Sequence, residues 1–264
     1  MIFRKIYKKL EKNMIFWWEP KDGAPNVGDY LAYLIVNKSL ELNDLSILDK
    51  KSSKNKLFSI GSVLHFSKNN DCVWGTGLNK KVPDELHKFK SLDVRAVRGP
   101  KTRDYLLEKG IECPAVFGDP GLLTSLFYPS NLFELNEVKS DFVIIPHMND
   151  DMSIYDDYKK YLCSPRQYPM AFVKGFLNTK LVVSSSLHGI IMAESYGIPA
   201  IYLDSESGES KFKYDDYYFG TERFSYPIAT SIEEAIKTVP ATLPNVEKIN
   251  RGLLNSFPYD LWHI

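Results

Sequence analysis

The chain has 264 residues, of which 44% are hydrophobic and 25% charged, the range of a globular protein that buries a substantial core. Lys+Arg and Asp+Glu both number 33, so no net field draws it to nucleic acid, which argues against a DNA- or RNA-binding role. Cys72, Cys113 and Cys163 are far apart and form no CxxC pair, which speaks against a disulfide scaffold or zinc cluster and fits a reducing compartment. No apolar run approaches the roughly 20 residues that span a bilayer and no signal peptide is visible, so the expected location is the cytoplasm.

In chain order, residues 1–18 come first. Phe3, Ile6, Tyr7 and Leu10 form one stripe at helical spacing, with Arg4, Lys5, Lys8, Lys9 and Lys12 around it. Two readings stand: a helix packed on the body with a solvated lysine face, or peripheral contact of residues 1–12 with an anionic membrane surface. Short apolar runs then alternate with helical stretches. The runs are 57–64, 72–78, 94–97, 142–146, 181–185 and 198–203; the helices are predicted at 30–40, 100–109 and 188–196. Val- and Ile-rich runs in this alternation indicate βαβ units and parallel sheets covered on both faces. Gly110 and Gly197 stand where glycines end helices. Ser231, with Glu234 three residues on, opens a late helix.

The polar stretch from Phe127 to Ser140 marks a boundary, because a fresh strand run follows it directly. The expected organisation is α/β, with two Rossmann-like domains of about 130 residues facing a cleft. They are 1–135 and 136–264, the second with a C-terminal helical segment. In open parallel sheets ligands bind beyond the carboxyl ends of the strands.

Three stretches carry candidate chemistry. In 181–203 an apolar strand ends in Ser184, Ser185 and Ser186, and a helix starts at Leu187–His188–Gly189. Such a helix start favours an anion, because its N–H groups are unpaired and its dipole is positive there. His188 in the first turn could exchange protons beside that anion; equally, the pattern describes a serine-capped helix whose histidine bonds its neighbours. In 94–106 a strand gives way to Arg98–Gly99–Pro100, with Pro100 suited to a first helical position. Arg98 would stand at the strand's carboxyl end, where a guanidinium can clamp a carboxylate or phosphate. Arg95 and Arg103 compete with it. Asp119, in the Phe117–Gly121 turn, is either a cap or a cleft residue. Finally, Asn26, Gly28 and Asp29 precede the first long helix, and Gly61–Ser62 and Gly75–Thr76–Gly77 follow apolar runs. A GxG alone is a weak signal, and no Walker A, HExxH or GxSxG sequence is present.

The series NVGD (26–29), IGS (60–62), GTG (75–77), VRGPKT (97–102), GDP (118–120) and SSLHG (185–189) resembles the polysaccharide pyruvyl transferase family, over about residues 14–222. The resemblance implies a GT-B-like fold and an enzyme that moves the enolpyruvyl group of phosphoenolpyruvate onto a sugar of a surface polysaccharide, or its lipid-linked precursor, as a ketal. It places the catalytic roles on His188 and Arg98. Substrate binding is expected from Ser184, Ser185, Ser186, Gly189, Asn26, Gly28, Asp29, Gly75, Thr76, Gly77 and Asp119, with the acceptor on the first domain and the donor on the second. No cofactor or metal is expected. The alternative is a GT-B glycosyltransferase using a nucleotide sugar, in which Glu194, otherwise a helix-surface residue, would pin a ribose. A third reading is a non-catalytic sugar-binding subunit.

Overall fold

A computed structural model describes residues 2–23, 25–134 and 140–263, the side chains of residues 2–7 and 29 excepted. Asp29 and most of the N-terminal stripe (Phe3, Ile6, Tyr7, with Arg4 and Lys5) therefore lie outside the described side chains.

Two four-stranded sheets, each parallel throughout, form the frame. The first half runs α1 (Ile2–Met14), β1 (Ile15–Phe16), α2 (Val27–Glu41), β2 (Leu57–Phe58), β3 (Cys72–Trp74), β4 (Asp93–Ala96), α3 (Pro100–Glu108) and α4 (Thr124–Phe127). The second runs β5 (Val143–Ile145), α5 (Pro169–Phe176), β6 (Val182–Ser184), α6 (Leu187–Ser195), β7 (Ala200–Leu203), α7 (Phe212–Gly220), β8 (Ile228–Ala229), α8 (Ile232–Ala235) and α9 (Val246–Asn255). Strand order is sequential in both sheets.

Strand periodicity builds the cores. In β5, Val143 and Ile145 join a central cluster while Ile144 joins an outer one. Val182 against Val183 and Ala200 against Ile201 divide the same way. In the first sheet Cys72, Trp74 and Ala96 face the central cluster, and Val73 and Val94 face another outer layer. Adjacent residues point to opposite faces, so each strand serves two layers and reads as uninterrupted apolar sequence. The central cluster draws on both halves, including Leu31 of α2, Ile190 of α6 and Tyr214 of α7.

Local signals behave as their chemistry requires. Pro100 occupies the first turn of α3, and Gly110 and Gly197 take positive φ just past α3 and α6. The Ser231 hydroxyl accepts from Glu234 N at the start of α8. The long run at 57–64 yields only the two residues of β2, because the chain turns at Gly61 (φ 97°) and passes into a 3-10 turn at Leu64–Phe66. The last residues return to the first sheet: Trp74 Nε1 donates to Leu253 O at 2.9 Å, Lys51 N donates to Leu261 O at 2.9 Å, and Trp262 is fully buried. No helix among the described residues is long and apolar enough to cross a membrane.

One expectation is corrected. Glu194 is no helix-surface residue: it is buried and held by Arg223 through both oxygens, at 2.6 and 2.8 Å, with Tyr217 OH donating at 2.6 Å. Removing one partner of such a pair strands a buried charge, so Arg223→Met should cost about 3–5 kcal/mol. Arg95, paired with Asp93 and Asp260 where water reaches them, should lose about 0–1 kcal/mol on change to alanine. Urea unfolding of the two variants checks the contrast.

Candidate active site

The serines after β6 hold their own turn. Ser184 Oγ lies 2.8 Å from Ile145 O and accepts from Ser186 N at 3.0 Å. Ser185 Oγ donates to Asp150 at 2.5 Å and accepts from His147 N at 2.8 Å, and Ser185 O accepts from Tyr214 OH. Asp150 also accepts from Tyr155 OH at 2.6 Å and from Ser205 Oγ at 2.7 Å. These bonds strap the loop after β5 to the loop after β6, and so bring His147 beside His188. Ser186 caps α6 by position, without a side-chain bond. Gly189 lies beneath, where a Cβ would stand 2.4 Å from Ser184 Oγ.

Gly28, in the first turn of α2, lets the other half approach. A Cβ there would lie 2.3 Å from His188 Nδ1, so only glycine admits the imidazole. His188 Nε2 is buried and has no hydrogen-bond partner among the described residues. Burial, with Lys213, Arg98 and His147 nearby, pushes His188 down to about 3, so the ring is neutral.

Arg98 is fully buried. Its Nε donates to Asp216 at 3.0 Å, its Nη1 to Ser62 Oγ at 2.8 Å, and its Nη2 to Leu78 O at 3.2 Å, with Asp216 also 2.9 Å from Nη2. Gly77 makes room: its Cβ would fall 2.2 Å from the guanidinium carbon. Thr76 Oγ1 donates to Gly61 O at 2.6 Å, which joins the GTG and IGS loops and presents Ser62. Asp119 caps the 3-10 turn at Pro120–Leu123 by accepting from Gly121 N, while its second oxygen is buried without a partner among the described residues; burial pushes it up to about 6.

A cavity of about 320 Å³ opens between the halves, and Asn26, Gly28, Ser62, Arg98, His147, Ser186, His188, Glu209 and Lys213 line it, together with Trp18, His65 and Phe66. Of the sequence candidates, Asn26, Gly28, Arg98, Ser186 and His188 thus meet at one surface. Ser184, Ser185, Gly189, Gly75, Thr76, Gly77 and Asp119 stand outside that lining. Gly75 packs against Pro120, where a Cβ would come within 2.2 Å. Arg95 faces Asp93 and Asp260, and Arg103 bonds Cys113 O, so neither reaches the cavity.

Lys213, Glu209 and His147 escaped the sequence reading. Lys213 Nζ lies 2.6 Å from Glu209, which also accepts from Lys81 at 2.8 Å. Burial works against the Glu209 charge, yet Lys213 and Lys81 hold the carboxyl at about 2. Burial also lowers Lys213 and pushes His147 to about 4. The available signal was KFKYDD (211–216), a lysine followed by a carboxylate three residues later, which puts both on one helix face.

The arrangement is that of an α/β protein whose cleft brings Arg98 and Lys213 to the same lining as a neutral histidine. A family model for polysaccharide pyruvyl transferase matches residues 8–207, and the chain belongs to that family. Its role is therefore pyruvyl transfer in polysaccharide biosynthesis. An uncharacterized protein of Acanthamoeba polyphaga mimivirus is 29% identical over 215 residues, covering 76% of this chain and 73% of that protein. A crystal structure of an uncharacterized protein from Klebsiella pneumoniae aligns with 82% of this chain and 91% of its own, at 15% identity and a TM-score of 0.41.

Two of the depressed histidines, His147 and His188, link stability to pH most strongly. Unfolded histidine takes a proton near pH 6.5, whereas native His147 and His188 resist until about 4 and 3. Below pH 6.5 the unfolded chain therefore binds more protons, and stability, full above that pH, falls as pH drops towards those values. Each histidine contributes at most about 1.4 kcal/mol per pH unit. Urea midpoints at pH 7 and pH 5 should show the fall, and His188→Asn should make it shallower.

Proposed function

We propose that the cleft takes phosphoenolpyruvate and transfers its enolpyruvyl group to a sugar of a bacterial surface polysaccharide or its lipid-linked precursor, giving a pyruvate ketal. The observation that carries this is the unpartnered, buried Nε2 of His188 at the start of α6, in one cavity with Arg98 and Lys213. A buried polar nitrogen without a partner is a place for a ligand to complete. The donor's carboxylate and phosphate call for cations and a helix N-terminus, and both halves supply them, in the manner of a GT-B-like cleft.

The bound donor's negative charge offsets Lys213 and Arg98 and raises His188 from its low resting value, so the ring takes up a proton on binding. His188 then protonates the methylene carbon, which leaves positive charge at C2. A sugar hydroxyl adds to C2 and its proton returns to His188. The bond from C2 to the phosphate oxygen breaks, and phosphate leaves with the electron pair. A second hydroxyl closes the ring and its proton passes to phosphate. The sum is phosphoenolpyruvate plus a diol giving a ketal plus hydrogen phosphate. Glu194, which a nucleotide-sugar enzyme would turn to a ribose, is instead committed to Arg223 inside the protein.

His188→Ala should fold normally and lose pyruvyl transfer by at least about a hundredfold, the usual worth of a general acid–base group. Arg98→Lys keeps the charge without the planar fork and should raise the KM for phosphoenolpyruvate. Phosphate release from phosphoenolpyruvate, measured beside nucleoside diphosphate release from nucleotide sugars, decides the donor; turnover of the second alone would refute the proposal.

A further inference from the structure

Beside the cleft lies a shallow hollow of about 120 Å³, which shares Trp18 and Asn26 with the catalytic cavity. Tyr30 and Tyr168 form its wall, their rings edge-on at 80° with centroids 5.6 Å apart. Tyr168 is 56% exposed, and Trp18 makes no side-chain hydrogen bond among the described residues. Glu19 stands at the rim, engaged by Lys8 at 2.6 Å and Lys12 at 2.7 Å. The rim thus offers polar groups already matched to each other, not an open anion site.

The hollow is fixed across the two halves. Val27 N donates to Pro165 O at 2.9 Å, Asn26 Nδ2 reaches Met148 Sδ at 3.6 Å, and Arg166 pairs with Asp22. The loop carrying Tyr168 is therefore docked on the start of α2.

We infer that this trough is a second saccharide subsite: the sugar next to the one being modified lies on Tyr168, Tyr30 and Trp18 while its neighbour sits before His188. This rests on the reading that a saccharide is the acceptor. An aromatic ring offers a flat apolar face to the C–H face of a pyranose. A hollow well below the roughly 300–1,000 Å³ of sites that engulf a drug-sized ligand suits one ring lying on a wall. Trp18, common to both cavities, makes the path continuous. The enzyme then prefers an oligosaccharide to a free monosaccharide.

Tryptophan fluorescence titrations with mono- and tetrasaccharides of glucose, N-acetylglucosamine, galactose and mannose test this on the full chain. In at least one series the tetrasaccharide should bind about tenfold tighter, the worth of one well-stacked ring. Tyr168→Ala should bring the ratio close to one, and Tyr168→Phe should keep it. A ratio near one in every series, a preference that survives Tyr168→Ala, or binding of geranyl phosphate with no tetrasaccharide would overturn the subsite. Phosphate release from phosphoenolpyruvate in the same preparation separates the two ideas. Its absence beside an intact length preference fails the donor and leaves the trough standing, and the converse fails the trough alone.

Discussion

The ion pair between Arg98 and Asp216 holds the site together. Both groups are fully buried, and each ion withdrawn from water costs several kcal/mol unless its hydrogen-bonding capacity is met. Here it is met on both sides. Arg98 also bonds Ser62 and Leu78, and Asp216 also accepts from Thr102 N at 2.9 Å and Thr102 Oγ1 at 2.6 Å. Arg98 follows β4 of the first sheet and Asp216 sits on α7 of the second half, so the pair is the joint between them. Gly99 and Gly220 bring the two backbones together at this joint: a Cβ on the first would stand 1.7 Å from Asp216 O, and on the second 2.3 Å from Arg98 O. Lys213 precedes Asp216 by three residues on the same helix, hence on the same face. Fixing Asp216 therefore fixes Lys213 at the cavity.

The cavity's electrostatics follow from that joint. Arg98 and Lys213 each face a carboxylate, yet burial first, then the charge of Lys213 and, for His188, that of Arg98 keep His188 and His147 neutral. The site thus gathers uncharged histidines around a buried nitrogen, His188 Nε2, that has no hydrogen-bond partner among the described residues. The residues that weaken the fold in acid are thus the same two imidazoles that line the cavity beside Lys213, a local inconsistency of the kind found at functional sites.

Sequence alone carried the features whose cause is local. The strand–serine–helix pattern at 181–197, Pro100 in a first turn, and the helix-ending Gly110 and Gly197 all depend on neighbours within a few positions. Features set by distant partners were not legible. Asp216 and Thr102 are 114 residues apart, and nothing in YDDYY distinguishes the buried aspartate from Asp215, which pairs with Lys101 nearer the surface. Glu194 shows the same limit, since its partner Arg223 lies 29 residues on. β1 and β8 have two residues each, too few to display a period. Three consecutive serines state that hydroxyls are present, not which way they turn. Ser184 and Ser185 turn inward to hold loops, and only Ser186 meets the cavity.

The family match ends at residue 207, yet the site does not. Glu209, Lys213 and Asp216 all lie beyond it, and so does the segment that covers the first sheet. That cover matters because β1 and β2 are two-residue strands, with few ladder bonds to hold the sheet edge. Phe16 stacks on Phe58 at 4.7 Å, but the larger support comes from the returning chain. Leu253 accepts from Trp74, Phe257 packs on the same indole at 4.8 Å, and Trp262 is buried beside Lys50. Trp74 ends β3 immediately before the Gly75–Thr76–Gly77 turn, and that turn seats the guanidinium of Arg98. The stretch that matches the family thus stands on residues outside its own span: α7 supplies the countercharge to Arg98, and α9 with the residues after it steadies the strand from which the Arg98 seat is built.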